Sequence, residues 1–354
     1  MNENFNKKIT DISLIIKDYR YLPEVIDKDN IASIELHVNK WISQFALEDR
    51  EFVLDHTYNL LSKNYYSEIC YNNLLSDVAK NKHNKIHFSR DCFVSIQSHG
   101  GSQDEITGKL NEFIQDAIGF SLPISSLEDD KFNFSRFNYI TYLDDLSFSG
   151  KLIGDDIEKF ITDFKLDKVK IRILVFLAHS QGLYNLEKRL CDFVKNNKLD
   201  INFHFNKRFW GDVENSVSEY HSWKTSTYFP EQITCDEVLK EKGLGDVELY
   251  QPNCFRVGSN DGCILGNAGD RRRIEKIFSS IGFDIISKSV SPKRSMKPLG
   301  FSTYHGFGFG GNVFSYRNCP NNTPLVFWWG SYEKTGNAAI DCWYPLMKRR
   351  GYYD

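Results

Sequence analysis

The chain has 354 residues, of which 41% are apolar, and this is enough for one large domain or two modest ones with a buried core. The composition excludes a disordered or collagen-like chain. Its 44 basic and 47 acidic residues give a net charge of −3, so the overall charge does not point to a protein that coats nucleic acid.

Hydropathy and cysteine spacing do not indicate a membrane-spanning, secreted or zinc-binding protein. No apolar run reaches the length of a membrane span, and the first residues lack the pattern of a secretory signal. The 8 cysteines do not have the spacing of zinc sites and are expected to be small core residues. We therefore expect a cytoplasmic protein with no membrane partner.

Residues 1–88 are predicted to form a helical N-terminal segment. Within it, Phe52, Val53, His56 and Leu60 recur at the spacing of one helix face. We interpret His56 as a part-buried histidine of that face rather than as a catalytic group. An asparagine- and lysine-rich stretch at 80–85 marks the boundary with the next segment.

Residues 89–210 alternate between short apolar runs and amphipathic helices. Strands are predicted at 92–97, 137–143, 171–178 and 201–205, with helices around 103–118, 153–164 and 183–196. Uniformly apolar strands separated by helices are typical of βαβ units in which both sheet faces are covered. With right-handed crossovers, the pattern predicts an α/β fold with a doubly wound, mostly parallel sheet.

Residues 211–354 are predicted to form an α+β region packed on that core, irregular and β-rich towards its end. Asp270 is the expected N-cap of a helix that Gly282 ends. Gly306, Gly308 and Gly311 match the pattern G-x-G-x-x-G, but a β-like stretch follows them instead of a helix. We therefore reject a dinucleotide site there and expect a packing or substrate-contacting loop.

Three consecutive arginines, Arg271, Arg272 and Arg273, fall in the first turn of the helix predicted after Asp270. The helix dipole disfavours cations at that position, so a solvated face is one interpretation. The other is a surface for anions or nucleic acid, formed together with the basic residues at 293–297 and 348–350.

The strongest candidate site follows the second predicted strand. Asp144 and Asp145 stand at its carboxyl end, where ligands bind in parallel sheets. Two carboxylates accept hydrogen bonds from a vicinal diol or help to organise a metal bound to it. The short loop that ends at Gly150 lets main-chain N–H groups and a helix N-terminus hold a phosphate, to which Ser147 and Ser149 add hydroxyl donors.

Two alternatives stay open for this segment. The aspartates also suit a solvated turn, and the helix has a second plausible start at Gly154, which would move its positive end away from the loop. Elsewhere, His179 follows the third predicted strand and is a candidate for the rim of the site. The glycines of the loop 98–103 permit close approach of an anion or simply make the loop flexible.

The apolar strand, the two aspartates and the glycine at a helix start resemble the 5-phosphoribosyl-diphosphate (PRPP) motif of type I phosphoribosyltransferases. The resemblance implies that Asp144 and Asp145 face the ribose hydroxyls. It also implies that the 5′-phosphate is wrapped by Leu146, Ser147, Phe148, Ser149 and Gly150. The stretch 95–103 resembles the loop for the diphosphate leaving group, with His99, Gly100, Gly101 and Ser102 as its members. Phe148 and Leu152 depart from the family pattern, because small or hydroxyl residues are usual there.

The segments 41–50, 142–151, 298–308 and 318–330 resemble the phosphoribosyltransferase-like proteins of bacterial conflict and antiphage-defence loci. This resemblance implies a toxic effector that binds PRPP or a nucleotide, with Mg²⁺ bound through the ligand, and carries out glycosyl transfer or cleavage. It also implies a defence-system partner such as a reverse transcriptase. The alternative is a non-catalytic module that senses a nucleotide or binds nucleic acid or a partner protein.

Overall fold

A computed structural model describes residues 3–81, 84, 88–97, 102–119, 124–126, 134–213, 226–251, 255–256, 264–303 and 306–349. The elements as far as residue 213 are α1 (Glu3–Ile16), α2 (Ile31–Ile42), α3 (Arg50–Asn64), β1 (Tyr65–Tyr66), α4 (Glu68–Lys80), β2 (Asp91–Ser95), α5 (Ser102–Ile118), β3 (Ile124–Ser126), β4 (Tyr139–Ser147), α6 (Lys151–Asp163), β5 (Val169–His179), α7 (Ser180–Asn196) and β6 (Ile201–Val213). The later elements are α8 (Gln232–Glu241), α9 (Ala268–Ser287), β7 (Phe314–Ser315), α10 (Leu325–Trp328) and α11 (Ala338–Asp341).

The chain divides into two compact units, one formed by Met1–Ile69 with Asn215–Asp354 and the other by Cys70–Glu214. The proposed domain limits 1–88, 89–210 and 211–354 stay a prediction. Among the described residues, no helix is both long enough and apolar enough to span a bilayer.

The unit Cys70–Glu214 is built on five parallel strands in the order β3-β2-β4-β5-β6. The predicted α/β fold with a doubly wound, parallel sheet is therefore confirmed. Strand β3 was not predicted from the sequence, because three residues are too few to show a hydrophobic period. Since β3 pairs with β2 and the chain then returns to β4 on the other side of β2, the strand order reverses between β2 and β4.

Both faces of this sheet are covered by helices. Residues of α6 and α7 share one apolar cluster with Tyr142 of β4 and Val175 of β5. Phe176 follows Val175 and therefore points to the opposite face, where its ring lies 6.4 Å from that of Tyr71 on α4. Burial on two sides explains why β5 is an almost continuous apolar run.

A buried ion pair crosses the sheet from β5 to β2. The guanidinium of Arg172 contacts the carboxylate of Asp91, and both side chains are buried. The hydroxyl of Thr141 on β4, which lies between these two strands, donates to the same carboxylate over 3.2 Å. The Arg172 guanidinium also lies 4.1 Å from the centre of the Tyr139 ring. Removal of either charge would leave the other buried without its partner, so the pair, which joins three strands, would be costly to break on one side.

The other unit has an aromatic core. Trp41 of α2 stacks near Phe327 with ring centres 6.0 Å apart, and its indole N–H donates to the Val326 carbonyl over 2.8 Å. Trp328 and Trp329 are buried in the same core. The histidine face predicted on α3 is confirmed as well: His56 is buried and its Nε2 lies 2.8 Å from the hydroxyl of Tyr228.

Helix α9 starts and ends elsewhere than predicted. Its N-cap is Asn267, whose side chain accepts from the Asp270 N–H over 2.9 Å, so the prediction of Asp270 as the cap is wrong. Gly282 lies inside the helix, so the prediction that it ends the helix is wrong. A Cβ atom there would come within 2.5 Å of the Cα of Pro298. The glycine thus serves close packing rather than termination. Towards the end of the chain, which was expected to be β-rich, the described residues form one strand of two residues, β7, which pairs with β1.

Candidate functional site

Strand β4 carries both predicted aspartates and continues beyond them to Ser147. Leu146 and Ser147 pair in register with Leu177 and Ala178 of β5. The predicted end of this strand at residue 143 is therefore wrong. Aspartate is a poor strand former, but β5 offers main-chain partners as far as His179, and this ladder outweighs the local preference.

The carboxyl ends of β2 and β4 meet where the strand order reverses. Ligands of open parallel sheets bind in the crevice that forms outside such a point, because the loops on its two sides leave in opposite directions. The loop after β2 carries His99, Gly100 and Gly101, which lie outside the described residues. Ser102 is the first residue of α5, and its side chain also lies outside them. The prediction of a diphosphate loop at these four positions stays a prediction.

Asp144 and Asp145 have different surroundings although they are neighbours. In a regular strand, consecutive side chains point to opposite faces of the sheet, and the register with β5 is continuous here. Asp144 is 3% exposed and lies on the same face as Tyr142, whereas Asp145 is half-buried. The structure thus provides one buried and one more accessible carboxylate at this edge.

Each carboxylate is oriented by nearby donors. The main-chain N–H of Asp145 donates to Oδ1 of Asp144 over 2.9 Å, and the side-chain amide of Gln97 donates to its Oδ2 over 3.3 Å. The N–H of Leu146 donates to Oδ1 of Asp145 over 2.9 Å. These donors fix the orientation of both carboxylates.

The loop from Phe148 to Gly150 connects β4 directly to α6. Gly150 is the N-cap and has φ +70°, a left-handed conformation that favours glycine. The helix begins at Lys151, so the alternative start at Gly154 is wrong and the positive helix end lies at the loop. The Ser149 hydroxyl accepts from the Lys151 N–H over 3.2 Å.

Two glycines allow this loop to pack against the start of α7. A Cβ on Gly182 would lie 1.7 Å from the Phe148 carbonyl oxygen, and one on Gly150 would lie 2.7 Å from the Leu186 Cβ. The loop main chain is thus held by contacts that exclude any larger residue at Gly182. Of the two departures from the family pattern, Leu152 is 58% exposed, while Phe148 is half-buried.

His179 ends β5 and is the N-cap of α7. Its Nδ1 accepts from the Gly182 N–H over 3.2 Å, so the neutral ring carries its proton on Nε2. Burial lowers the pKa of His179 to about 4, which keeps the ring neutral at physiological pH. It therefore has a capping role, and its role at the rim of a ligand site stays a prediction.

The three consecutive arginines belong to the other unit and each contacts an acidic side chain. Arg271 is completely buried, 3.0 Å from Glu275, so a solvated face is wrong for this residue. Arg272 and Arg273 are half-exposed and pair with Glu231 and Asp49, both over 2.8 Å. Anion binding by these residues stays a prediction.

Two further features bear on ligands. An open groove of about 490 Å³ lies between α6 and α7, with Glu158, Arg189 and Phe193 among its walls, and does not include the aspartates of β4. Arg189 in that groove is already paired with Glu158 over 2.7 Å. Within the described ranges, no three His, Cys, Asp or Glu residues gather in a way that could hold a metal ion.

Sequence reasoning missed the partners of Asp144. Gln97 lies two residues beyond the end of β2, and Tyr142 connects it to Asp156 of α6, while Gln103 lies in the first turn of α5. The position of Gln97 at the end of a predicted strand was a usable signal, and so was the spacing of two residues between Tyr142 and Asp144, which places both on one face. The contact with Gln103 leaves no sequence pattern.

The arrangement agrees with the comparison to known families. The sequence profile named PRTase-CE matches residues 38–349, which is most of the chain. No curated protein and no solved structure matches the sequence. The matched region includes every strand of the parallel sheet and both aspartates of β4. The chain therefore belongs to the PRTase-CE family of phosphoribosyltransferase-like proteins.

Proposed function

We propose that this protein binds a ribose 5-phosphate ligand, PRPP or a related nucleotide, at the end of β4 and carries out glycosyl transfer or cleavage on it. The observation that carries the proposal is the buried, hydrogen-bonded carboxylate of Asp144 beside the reversal of strand order. Family membership supports the same ligand class.

The residues have distinct roles in this proposal. The carboxylates of Asp144 and Asp145 accept hydrogen bonds from the ribose hydroxyls and fix the orientation of the sugar. Main-chain N–H groups of Phe148, Ser149 and Gly150, at the positive end of α6, hold the 5′-phosphate, with the hydroxyl of Ser149 beside them. As the bond from the anomeric carbon to the leaving group lengthens, the sugar gains positive charge, which the nearby carboxylates stabilise.

Magnesium would reach this site with the ligand. The carboxylates are hard oxygen donors of the kind that Mg²⁺ prefers, and the ion takes part of its ligands from substrate phosphates in such sites. When bound, Mg²⁺ neutralises the diphosphate leaving group. Asp144 and Asp145 would orient the hydroxyls that contact it.

Isothermal titration calorimetry with PRPP and MgCl₂ tests the proposal. We expect Asp145→Asn to weaken binding at least about tenfold, because a charge-assisted bond to the ligand is lost. Asp145 is preferred to Asp144 for this test because it is less buried, so its exchange perturbs the fold less. Asp163→Asn, an exposed exchange at the far end of α6, is the matched control and should bind like the wild type.

The reaction is tested by release of diphosphate. Wild-type protein with PRPP, Mg²⁺ and a panel of bases or nucleotides should release diphosphate, and Asp145→Asn should not. Binding without release would support the second candidate, a non-catalytic nucleotide sensor, which the bulky Phe148 in the phosphate loop favours. Absence of binding by the wild type would contradict both.

We also propose that the protein acts in antiphage defence with a partner such as a reverse transcriptase, on the strength of the whole-chain resemblance. Phage plaque counts on cells that express the protein with its neighbouring genes test this role. Asp145→Asn should raise the plaque count to that of cells that carry an empty vector, whereas Asp163→Asn should not. Equal plaque counts on cells with the wild-type protein and on cells with the empty vector would contradict the defence role alone.

A further inference from the structure

Gln97 connects the two strands between which the strand order reverses. It lies two residues beyond the end of β2, yet its side chain contacts β4. Its Nε2 donates to the Tyr142 hydroxyl over 2.8 Å and to Oδ2 of Asp144 over 3.3 Å. Its Oε1 accepts from the main-chain N–H of Gln103, at the start of α5, over 3.3 Å. This carboxamide thus joins β4 to the start of α5.

Gln103 fixes the main chain from which Gln97 projects. It is completely buried, and its Oε1 accepts from the N–H of Ile96 over 2.7 Å and from that of Gln97 over 3.2 Å. Each glutamine side chain therefore binds the main chain of the other. Such a reciprocal pair leaves the Gln97 side chain little freedom to rotate, since hydrogen bonds hold both the main chain of Gln97 and its side-chain amide.

Tyr142 determines which way the Gln97 amide faces. Its hydroxyl donates to Oδ2 of Asp156 over 2.8 Å, and a phenol has only one proton to donate. Burial raises the pKa of Tyr142 well above its ordinary value, and the charges of Asp144 and Asp156 raise it further, so the proton stays on the phenol. The tyrosine oxygen must then accept from Gln97. A flipped amide would place its oxygen against the oxygens of both Tyr142 and Asp144.

We infer that Gln97 is a positioning residue for Asp144: its amide fixes the plane of the carboxylate, and thereby the direction in which it receives a ligand hydroxyl. The Asp145 N–H holds Oδ1 and the Gln97 amide holds Oδ2, so the two oxygens are fixed by donors from different elements. This inference rests on the proposed function for the identity of the ligand, but the orientation of the carboxylate is a property of the protein alone.

The first experiment compares PRPP binding by Gln97→Leu and Gln97→Glu with the wild type, by calorimetry in MgCl₂ at pH 8 and pH 5.5. Gln97→Leu removes the donor and should weaken binding about tenfold at both pH values. Gln115→Leu, the same exchange at an exposed position near the far end of α5, is the matched control and should bind like the wild type.

Gln97→Glu has the shape of the wild-type residue and separates positioning from packing. At pH 8 its carboxylate faces Tyr142 and Asp144 of β4 and Asp156 of α6, so repulsion should weaken binding at least tenfold. At pH 5.5 the new carboxyl takes up a proton and again donates to Asp144. Its affinity relative to the wild type should then recover, whereas that of Gln97→Leu should not. Wild-type affinity for both variants at both pH values would overturn the inference.

A second experiment needs no ligand. In ¹⁵N–¹H spectra of the free protein, the side-chain NH₂ signal of Gln97 should shift in Asp144→Asn and in Tyr142→Phe and stay in place in Asp163→Asn. An unchanged signal in the first two variants overturns the coupling. If the wild type binds no PRPP, the proposed function fails, and these spectra still decide whether Gln97 orients Asp144.

Discussion

A Cβ atom on Gly182 would lie 1.7 Å from the carbonyl oxygen of Phe148. The first turn of α7 therefore touches the main chain of the loop proposed to hold the phosphate. Gly182 also donates its N–H to the His179 ring that caps the same helix. The position of the loop depends on the absence of one side chain on the neighbouring helix.

We expect Gly182→Ala to displace the loop and to lower the free energy of unfolding by about 1–3 kcal/mol, the usual cost of overpacking. PRPP binding should fall with it, because the N–H groups of the loop move. Gly108→Ala in α5 is the matched control, since its Cβ would meet nothing within 4 Å. There the better helix former should raise stability by up to about 1 kcal/mol. Urea denaturation measures both, and equal effects would contradict the contact.

Gly150 combines a left-handed conformation with a close neighbour, and the chain offers a control that separates the two. Gly119 has φ +67° but open space around it, whereas Gly150 has φ +70° and Leu186 within 2.7 Å of its Cβ position. Gly119→Ala should lower the free energy of unfolding by about 1 kcal/mol, because alanine is strained in this conformation. Gly150→Ala should lower it further, because its Cβ would also clash with Leu186. Thermal denaturation checks the order, and a smaller loss at Gly150 would show that the loop adapts.

The buried pair of Arg172 and Asp91 should be costly to break on one side. Arg172→Met leaves a buried carboxylate, and we expect a loss of about 3–5 kcal/mol in the free energy of unfolding. The double variant Arg172→Met with Asp91→Leu should regain most of that loss, since no charge is left behind. Lys151→Met removes an exposed ion pair to Asp155 and should change stability by less than about 1 kcal/mol. If the double variant instead loses the sum of the two single-variant losses in free energy of unfolding, Arg172 and Asp91 are not energetically coupled.

His179 should make the protein less stable in mild acid. Its pKa is about 4 in the folded chain and near 6.5 when unfolded, so the unfolded state binds more protons between these values. The neutral ring thus makes its full contribution to the free energy of unfolding above pH 6.5, and this contribution is lost as the pH falls towards 4. At pH 5 the free energy of unfolding is lower by about 2 kcal/mol for this reason.

His179→Asn keeps a side-chain oxygen that can accept from Gly182 but cannot titrate. Calorimetric melting at pH 7.5 and pH 5 should therefore show a smaller acid-induced fall for this variant than for the wild type. His37 and His56, whose pKa values burial also lowers to about 4, retain their share of the fall in both proteins. An identical fall in variant and wild type would exclude His179 as a source.

Much of the α/β core could be predicted because its signals are local. The apolar runs gave four of the strands, and the helices between them follow the period of one buried face. The glycine before α6 was one of two helix starts that the sequence left open, and only the structure selects it. Errors arose where a partner outside the segment decided the outcome, as at Ser147, which pairs with β5, and at Gly282, which packs against Pro298.

The sequence by itself determined that a parallel sheet would form and that Asp144 and Asp145 would stand near the carboxyl end of one of its strands. Only the tertiary structure decided that β2 lies beside β4, that the two aspartates differ in burial, and that Gln97 holds one of them. Hydrophobic periodicity is a property of neighbouring residues and can be recognised in the chain. The hydrogen bond between Gln97 and Asp144 joins residues 47 positions apart, and nothing local records which distant donor a buried carboxylate will meet.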